Sequence, residues 1–391
     1  MAGTAELITD ATVVTGQTVL PRGWVLVTAG RIAGVGASSD PLPAADRIKS
    51  FRGAAVLPGF VDIHVHGGGG ASFGSDTEAA RRVLRFHLTH GTTSLLAGLS
   101  SAPPARLLES VSVLGSLPEA QDGGGRLLGV HLEGPFISAH RRGAHDKIAI
   151  RDPDPAELRR LIEAGAGRIR LVTAAPELDR FAELADVAAA NSVRLSAGHT
   201  DAPGDELLAA VRRGVRSLTH TFNGMRPCLH RDPGPLRVIA DSTVVCELIC
   251  DGIHVHPAFV RLLHRLAGPR RVVLVTDAVA FAGLPDGEHR SDGRLVHVRD
   301  RQVVVAGTST LAGSTLTMAA AVKNYWQMTG ADLGGLAAVS SGNAARMLGE
   351  DHRIAAIAPG RAADLVVLNE ARDCIGVMAS GRSIRMPDEP R

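Results

Sequence analysis

Eight short apolar runs between about residue 54 and residue 350 constrain the fold of this chain most strongly. Each run is long enough for one buried strand, and segments with helical periodicity separate most of them. Eight alternations of strand and helix predict a (β/α)₈ barrel with insertions. An open doubly wound sheet is the alternative, but no GxGxxG motif follows the first run. The runs are AAVLPGFVDIHVH from residue 54, TTSLLAGLS from 92, LLGVHLEGPF from 127, RIRLVTAAPE from 168, VRLSAGHT from 193, SLTHTFNGM from 217, VVCELICDGIHV from 244 and RVVLVTDAV from 271.

The two ends of the chain have a different pattern. Residues 1–53 contain β-type runs with glycines at hairpin spacing, and residues 357–391 return to β-type runs. We therefore expect both ends to pair into one small β-sandwich domain beside a barrel formed by residues 54–356. The segment LPDGEHRSDGRLVHVRDRQVVVAG, after the eighth run, has the pattern of an inserted hairpin.

Composition and charge argue against several classes of partner. The net charge of +2 provides no electrostatic basis for binding nucleic acid or an anionic membrane. No apolar stretch is long enough to span a bilayer, and the first residues lack the pattern of a signal peptide, so we expect a cytoplasmic protein. The cysteines show no CxxC spacing, which favours inert thiols over a disulfide or a zinc knuckle; they are Cys228, Cys246, Cys250 and Cys374.

Histidines and carboxylates stand at the ends of six of the eight predicted strands. The C-terminal ends of barrel strands carry the chemistry of barrel enzymes. Imidazole nitrogens and carboxylate oxygens are ligands of zinc and similar divalent ions, and a catalytic site leaves one position for water. One such histidine is more often a hydrogen-bonded core residue, but six strand ends favour a metal site. The residues are His64 and His66, His131 and Glu133, His199, His220, Asp251 and His254, and Asp277.

The motifs resemble those of the amidohydrolase superfamily and, more narrowly, of the N-acetylglucosamine-6-phosphate deacetylase family. They occur over nearly the whole chain and in the order of that family; they are PGFVDIHVHG, GVHLEGPF, SAGHT, HTFNGM, CDGIHV, VTDAVAFAG and LAGSTLTM. The resemblance implies hydrolysis of the acetamide of N-acetyl-D-glucosamine 6-phosphate to D-glucosamine 6-phosphate and acetate. It also implies a divalent metal, zinc foremost, and a homodimer.

The resemblance assigns roles to individual residues. Glu133, His199 and His220 match the ligands of the family's main metal, and Asp277 matches its catalytic aspartate. Members of the family differ at the positions of His64 and His66. Some have a non-ligating Gln and Asn at these positions and hold one metal, and others keep the HxH pair and can hold a second metal bridged by the glutamate that Glu133 matches. One ion and two ions therefore both stay open.

The remaining roles that the resemblance implies concern the substrate. Arg231 and His254 match groups that receive the sugar phosphate, although His256 stands close to the second of them. The arginine can reach the site of the neighbouring subunit. The implied substrate contacts are Ala144, His145, Asn223, Gly224, Arg231, Asp251, His254, Leu311, Ala312 and Gly313.

Other activities of the superfamily stay open at this point. The fourth run ends in LVTAAPE without a lysine, which argues against enzymes that bridge two metals with a carboxylated lysine. N-acetylgalactosamine-6-phosphate deacetylase, a D-aminoacylase or a deaminase are alternatives, since nothing in the sequence defines recognition of the sugar 4-hydroxyl. A non-catalytic barrel would be expected to lack Asp277 or a ligand, and all of them are present.

Overall fold

The structure, a computed structural model, describes residues 4–384 and residue 386, except residues 17, 122, 124, 292 and 293. The strands are β1 (Glu6–Val14), β2 (Val19–Thr28), β3 (Arg31–Ala37), β4 (Arg47–Ser50), β5 (Ala55–Pro58), β6 (Phe60–Val65), β7 (Gly67–Gly68), β8 (Ala71–Ser72), β9 (Thr92–Ser100), β10 (Arg126–Glu133), β11 (Ile169–Ala174), β12 (Arg194–Ala197), β13 (Val215–Leu218), β14 (Val245–Ile249), β15 (Val272–Val275), β16 (Gly287–Ser291), β17 (Arg294–Arg299), β18 (Gln302–Val305), β19 (Leu311–Ser314), β20 (Leu365–Leu368), β21 (Cys374–Ala379) and β22 (Arg382–Ile384). The helices are α1 (Thr77–Leu88), α2 (Pro104–Ser116), α3 (Pro155–Ala164), α4 (Phe181–Ala190), α5 (Gly204–Arg212), α6 (Pro235–Asp241), α7 (Pro257–Ala267), α8 (Met318–Thr329), α9 (Leu333–Ala337) and α10 (Asn343–Leu348).

Eight parallel strands form the barrel, and they are neighbours in the order in which they follow along the chain. The order is β6, β9, β10, β11, β12, β13, β14 and β15. The two ends of this sheet meet just beyond β6 and β15: the Asp277 N–H donates to the His64 carbonyl over 2.8 Å, and the His66 N–H donates to the Ala278 carbonyl over 2.8 Å. A helix follows each strand, and an insertion precedes the last of them. The predicted (β/α)₈ barrel is confirmed.

Helix α1 shows why the alternating segments fold onto the strands. Asp76 caps its first turn by accepting a hydrogen bond from the Ala79 N–H over 2.8 Å. Its apolar residues recur three or four positions apart and become the buried side, which contains Ala80, Val83, Leu84 and Leu88. The other barrel helices with buried stripes follow the same rule, so the apolar core lies between the helix ring and the barrel.

The two chain ends pair into one sheet, ordered β22, β21, β20, β5, β1, β2 and β3, with β4 beside β1. A separate apolar core, which includes Ile8, Val25, Val56 and Leu365, lies within it. The β-domain predicted from both termini is confirmed. Its border with the barrel differs from the prediction, because the first apolar run divides between two sheets.

Gly59 is the point at which that run divides. Strand β5 before it pairs with β1 and β20, whereas β6 after it pairs with β9. A Cβ at Gly59 would come within 2.2 Å of the Thr93 Oγ1, so only glycine allows the chain to pass this close to β9. The border therefore follows Pro58, whereas the first part of the terminal sheet was expected to end at residue 53.

The insertion after β15 is a four-stranded antiparallel sheet, β16 to β19, and not a single hairpin. It has its own small core of Phe281, Val296, Val298 and Val303. The LAGS segment becomes β19 because it pairs with β18 and returns to the barrel, where the Ser314 N–H donates to the Asp277 carbonyl over 2.8 Å. The insertion thus holds residues 311–313 at the barrel mouth.

Two further observations concern the cysteines and the helices. The four cysteines are free, and Cys246 and Cys250 are buried. Among the described residues, no helix combines the length and the apolar character needed to cross a membrane.

Candidate active site

The candidate site lies where the barrel strands end, and three of its residues leave their strands with unusual backbone angles. His199, His220 and Asp277 follow β12, β13 and β15 with φ angles of 47°, 28° and 48°. Non-glycine residues occupy this left-handed region at a cost of about 1–3 kcal/mol each, and such residues cluster at functional sites. The strain is tolerated here because packing and hydrogen bonds of the barrel hold each turn in place.

Glu133, at the end of β10, is the centre of the site. Its Oε1 lies 3.0 Å from His199 Nε2 and 2.9 Å from His220 Nε2. Its Oε2 lies 3.2 Å from His66 Nε2 and 3.2 Å from His145 Nε2. Burial by itself raises the pKa of Glu133, but the surrounding histidines outweigh burial and hold this pKa well below its ordinary value. Glu133 is therefore a carboxylate that several imidazoles share.

The tautomers of two histidines follow from their outer partners. His64 Nδ1 lies 3.0 Å from Glu247 Oε2, and His199 Nδ1 lies 2.7 Å from the Arg141 carbonyl oxygen. Both oxygens can only accept, so each Nδ1 carries the proton and donates it. When such a ring is neutral, it presents a lone pair at Nε2, which is the arrangement that metal-ligating histidines adopt.

His145 has the opposite tautomer. The Ser101 backbone N–H, which can only donate, points at His145 Nδ1 over 3.3 Å, and the Ser101 hydroxyl lies 2.9 Å from the same nitrogen. Nδ1 is therefore an acceptor, and the ring proton sits on Nε2, which faces Glu133 and the cleft. His145 is thus a hydrogen-bond donor at the site.

Asp277 lies beside the HxH pair at the end of β15. Its Oδ1 is 3.3 Å from His66 Nε2 and 3.6 Å from His64 Nε2. Burial by itself raises its pKa, but the neighbouring histidines reverse the effect and lower the pKa of Asp277 to about 2. The next helix along the chain, α8, begins only at Met318, so Asp277 does not cap a helix directly after the eighth strand.

A cleft of about 640 Å³ opens above this cluster. His66, Glu133, His199, His220 and Asp277 form its floor, while His64 is fully buried beneath them. The sequence-predicted substrate contacts that line it are Ala144, His145, Asn223, Gly224, His254, Leu311, Ala312 and Gly313.

His254 is held in the cleft by Asp251, which does not itself line it. His254 Nδ1 donates to Asp251 Oδ2 over 2.6 Å, and Asp251 Oδ1 accepts from the N–H groups of Ile253 and His254 over 2.8 Å each. Burial by itself lowers the pKa of His254. The hydrogen bond to Asp251 and the negative charge of Asp251 outweigh burial and raise this pKa. His256, two residues on, is exposed and caps α7 instead.

Arg231 and His131 stand apart from the cleft. Arg231 is exposed on the segment before α6 and is not among the residues that line the cleft. His131 is a satisfied core residue, since its Nδ1 donates to the Ile63 carbonyl over 3.1 Å and its Nε2 lies 2.8 Å from Thr173 Oγ1.

Sequence reasoning missed the residues that support the site from behind. Glu247 is fully buried in β14, holds His64 and accepts a bond from the His220 N–H over 3.3 Å. Asp62 accepts a bond from the Thr276 hydroxyl over 2.5 Å and so links β6 to β15. The available signal was a carboxylate within an otherwise apolar strand, as Glu247 is in VVCELIC and Asp62 is in GFVDIHV.

The donor set fits a divalent metal. Nε2 of His199 lies 3.1 Å from Nε2 of His220, and Nε2 of His64 lies 3.2 Å from Nε2 of His66. Two imidazole nitrogens this close either share a proton or ligate the same cation, and imidazole and carboxylate donors are the ligands of zinc and similar divalent ions. The metal-capable groups of the described residues are His64 with Glu133 and His220, His64 with His66 and Asp277, and Glu133 with His145 and His199.

Replacement of Glu247 by glutamine is expected to weaken metal binding by about 10–100-fold, because it removes the charge that fixes the His64 tautomer. Competition with a chromophoric chelator measures the affinity. Glu350→Gln is the control, since Glu350 is also a buried carboxylate but binds Arg170 away from the cleft. Equal affinity of the Glu247→Gln variant and this control would contradict the supporting role of Glu247.

Three comparisons with known proteins agree with this geometry. The model of the amidohydrolase family matches residues 55–384. N-acetylglucosamine-6-phosphate deacetylase of Bacillus subtilis (strain 168) is 34% identical over 94% of this chain and 93% of its own length. N-acetylgalactosamine-6-phosphate deacetylase of Escherichia coli O157:H7 is 34% identical over 89% of this chain and 92% of its own length.

A solved structure extends the likeness to the whole fold. N-acetyl-D-glucosamine-6-phosphate deacetylase from Mycobacterium smegmatis, a mutant in complex with N-acetyl-D-glucosamine-6-phosphate, superposes with a TM-score of 0.92. The two chains are 39% identical, and the match covers 98% of this chain and 100% of the other. The chain therefore belongs to the amidohydrolase family and, within it, to the group of the N-acetylglucosamine-6-phosphate deacetylases.

Proposed function

We propose that this chain hydrolyses the acetamide of N-acetyl-D-glucosamine 6-phosphate and releases D-glucosamine 6-phosphate and acetate. The observation that carries the proposal is the cleft, in which Asp277 and the Glu133 histidine cluster lie below His254 and the β19 residues. The complex of the Mycobacterium smegmatis relative with the phosphorylated amino sugar supports this substrate class. We assign the chemistry to the barrel and a supporting role to the β-domain that the two chain ends form.

The residues that would hold the metal are those around Glu133. Glu133, His199 and His220 would form the main set, and His64 with His66 would provide ligands for a second ion. A bound divalent ion, zinc foremost, would polarise the acetyl carbonyl and lower the pKa of water to near neutrality. Imidazole and carboxylate donors are those that zinc prefers.

Asp277 is the proton carrier in this proposal. Attack of the water oxygen on the acetyl carbon forms a C–O bond, and a proton of the water passes to the Asp277 carboxylate. The C–N bond then breaks, and Asp277 gives the proton to the sugar nitrogen, because an amine leaves readily only when protonated. His145, whose Nε2–H faces the cleft, donates to the developing oxyanion of the acetyl group.

The upper cleft holds the sugar. Gly224 has a φ of 58°, and a Cβ there would lie 2.9 Å from His199 Nδ1, so glycine allows the Asn223–Gly224 turn to approach the floor of the site. Residues 311–313 cover the sugar from the insertion, and His254 binds the phosphate. We assign Arg231 to the cleft of the second subunit of a homodimer, because its own cleft does not include it.

The N-acetylgalactosamine 6-phosphate reaction is the second candidate. The Escherichia coli O157:H7 enzyme named for it is as similar in sequence to this chain as the Bacillus subtilis enzyme is, at 34% identity each. Acetate release from the two epimers, each with and without phosphate, decides between them. Equal efficiency on the phosphorylated and free sugars would instead favour an aminoacylase.

The His254→Ala variant is expected to lose about 10–100-fold in kcat/KM for the phosphorylated sugar, since a charge-assisted bond to the phosphate is removed. Its low activity on the free sugar should change little. His256→Ala is the matched control, because His256 is exposed on the same segment. Steady-state kinetics on both sugars measure the effect, and an equal loss on both would refute the phosphate contact.

A further inference from the structure

A second cavity, of about 270 Å³, lies at the opposite end of the barrel from the active site. It opens where β12, β13, β14 and β15 begin, and α10 forms one of its walls. Four arginines line it, and among the described residues that do so there is no aspartate or glutamate; the arginines are Arg194, Arg216, Arg270 and Arg346. We call it the arginine cavity.

The arginines of the cavity differ from neighbouring arginines in their ion pairing. Arg126, at the start of β10, pairs with Asp364 over 3.2 Å, and Arg170 in β11 pairs with Glu350 over 2.8 Å. No ion pair within the described part of the chain involves the four arginines of the cavity. Like charges in one concavity repel each other, so the folded chain retains a positive potential there that its own carboxylates do not neutralise.

One wall of the cavity is rigid. Asn343 is buried, and its Nδ2 donates to the carbonyls of Pro269 and Val272 over 2.7 and 2.6 Å. Its Oδ1 accepts a bond from the Arg346 guanidinium over 2.7 Å. A buried amide thus fixes Arg346 to the segment that carries Arg270, and little conformational freedom would be lost when a ligand binds between them.

We propose that the arginine cavity binds a small oxyanion with two or more negative charges, a phosphate or a phosphorylated metabolite. Arginine forks match phosphate oxygens in pairs, and four arginines without a carboxylate partner around one concavity favour a multiply charged group. The volume lies just below the roughly 300–1,000 Å³ of ordinary ligand pockets, which fits a small anion better than a large cofactor. Because the cavity joins four strands and α10, its ligand stabilises the folded barrel. This inference is independent of the reaction proposed above.

The test uses the complete, metal-loaded protein with inorganic phosphate and fructose 1,6-bisphosphate as probes. Calorimetric titration and thermal unfolding are measured against sodium chloride of equal ionic strength. The Arg216→Ala/Arg270→Ala variant removes two exposed arginines and is expected to bind the better probe on the order of 100-fold more weakly. Its probe-induced rise in Tm should disappear, and its kcat/KM for the phosphorylated amino sugar should stay unchanged.

Arg212→Ala/Arg213→Ala is the matched control, since these arginines are exposed, stand close to Arg216 in the chain and do not line the cavity. It removes the same charge and should bind both probes like the unmodified protein. Tighter binding of phosphate identifies a free-anion site, and tighter binding of the bisphosphate identifies a site for phosphorylated metabolites. Equal weakening in both double variants, or none in either, would overturn the proposal.

Discussion

Replacement of Asp277 by asparagine is expected to lower kcat by about 10²–10⁴-fold while the protein folds normally. The substitution removes the group that accepts and returns the proton but keeps the shape of the side chain. Asparagine also suits the backbone, because it tolerates the left-handed region that Asp277 occupies with a φ of 48°. The bonds that close the barrel use the backbone of residue 277 and are retained.

Three measurements on the Asp277→Asn variant separate a chemical effect from a structural one. Its Tm and its affinity for the phosphorylated sugar should stay close to those of the unmodified enzyme, and acetate release in a single turnover should be slow. Asp286→Asn is a suitable control, because Asp286 lies outside the cleft, near the start of β16. A kcat within tenfold of the unmodified enzyme would exclude Asp277 as the proton carrier.

The barrel was predictable because its signal is repeated along the chain. Each strand of a parallel sheet is buried on both faces and appears as an apolar run, and eight such runs leave few architectures open. The division of the first run was not predictable from hydrophobicity, since β5 and β6 are equally buried. Only the contact of Gly59 with Thr93 shows where the chain passes from one sheet to the other.

The inner members of the candidate site were predictable for a similar reason. A barrel brings all its strand ends together, so His64, Glu133 and His220 could be placed in one group without knowledge of distances. The groups that orient them could not be found in this way. Glu247 and His64 are 183 positions apart, and nothing in the local sequence of either relates the two.

Two parts of the sequence prediction were incomplete. Arg231 was expected at the phosphate from its position after HTFNGM, and in this chain it is exposed outside the cleft. The segment predicted as a hairpin belongs to a four-stranded sheet. β19 follows β18 closely in the chain and pairs with it, but its sequence, LAGS, lacks the alternating pattern by which a strand is predicted.

The His220→Ala variant is expected to lose the main metal and with it nearly all activity. His220 Nε2 lies 2.9 Å from Glu133 Oε1 and 3.1 Å from His199 Nε2. The alanine variant therefore lacks one of the three ligands proposed for the main metal. Metal analysis after gel filtration should show one ion fewer per chain than in the unmodified protein. Chelation of the unmodified enzyme should abolish activity, and zinc should restore it.

His87→Gln is the control for this metal loss, because His87 is a buried histidine that contacts the Gly67 carbonyl outside the ligand cluster. The His64→Asn/His66→Asn variant then distinguishes one ion from two. If the HxH pair holds a second ion, this variant keeps one ion per chain through Glu133, His199 and His220. Unchanged stoichiometry would exclude the pair as ligands, and full activity of metal-free His220→Ala protein would refute the metal-dependent reaction itself.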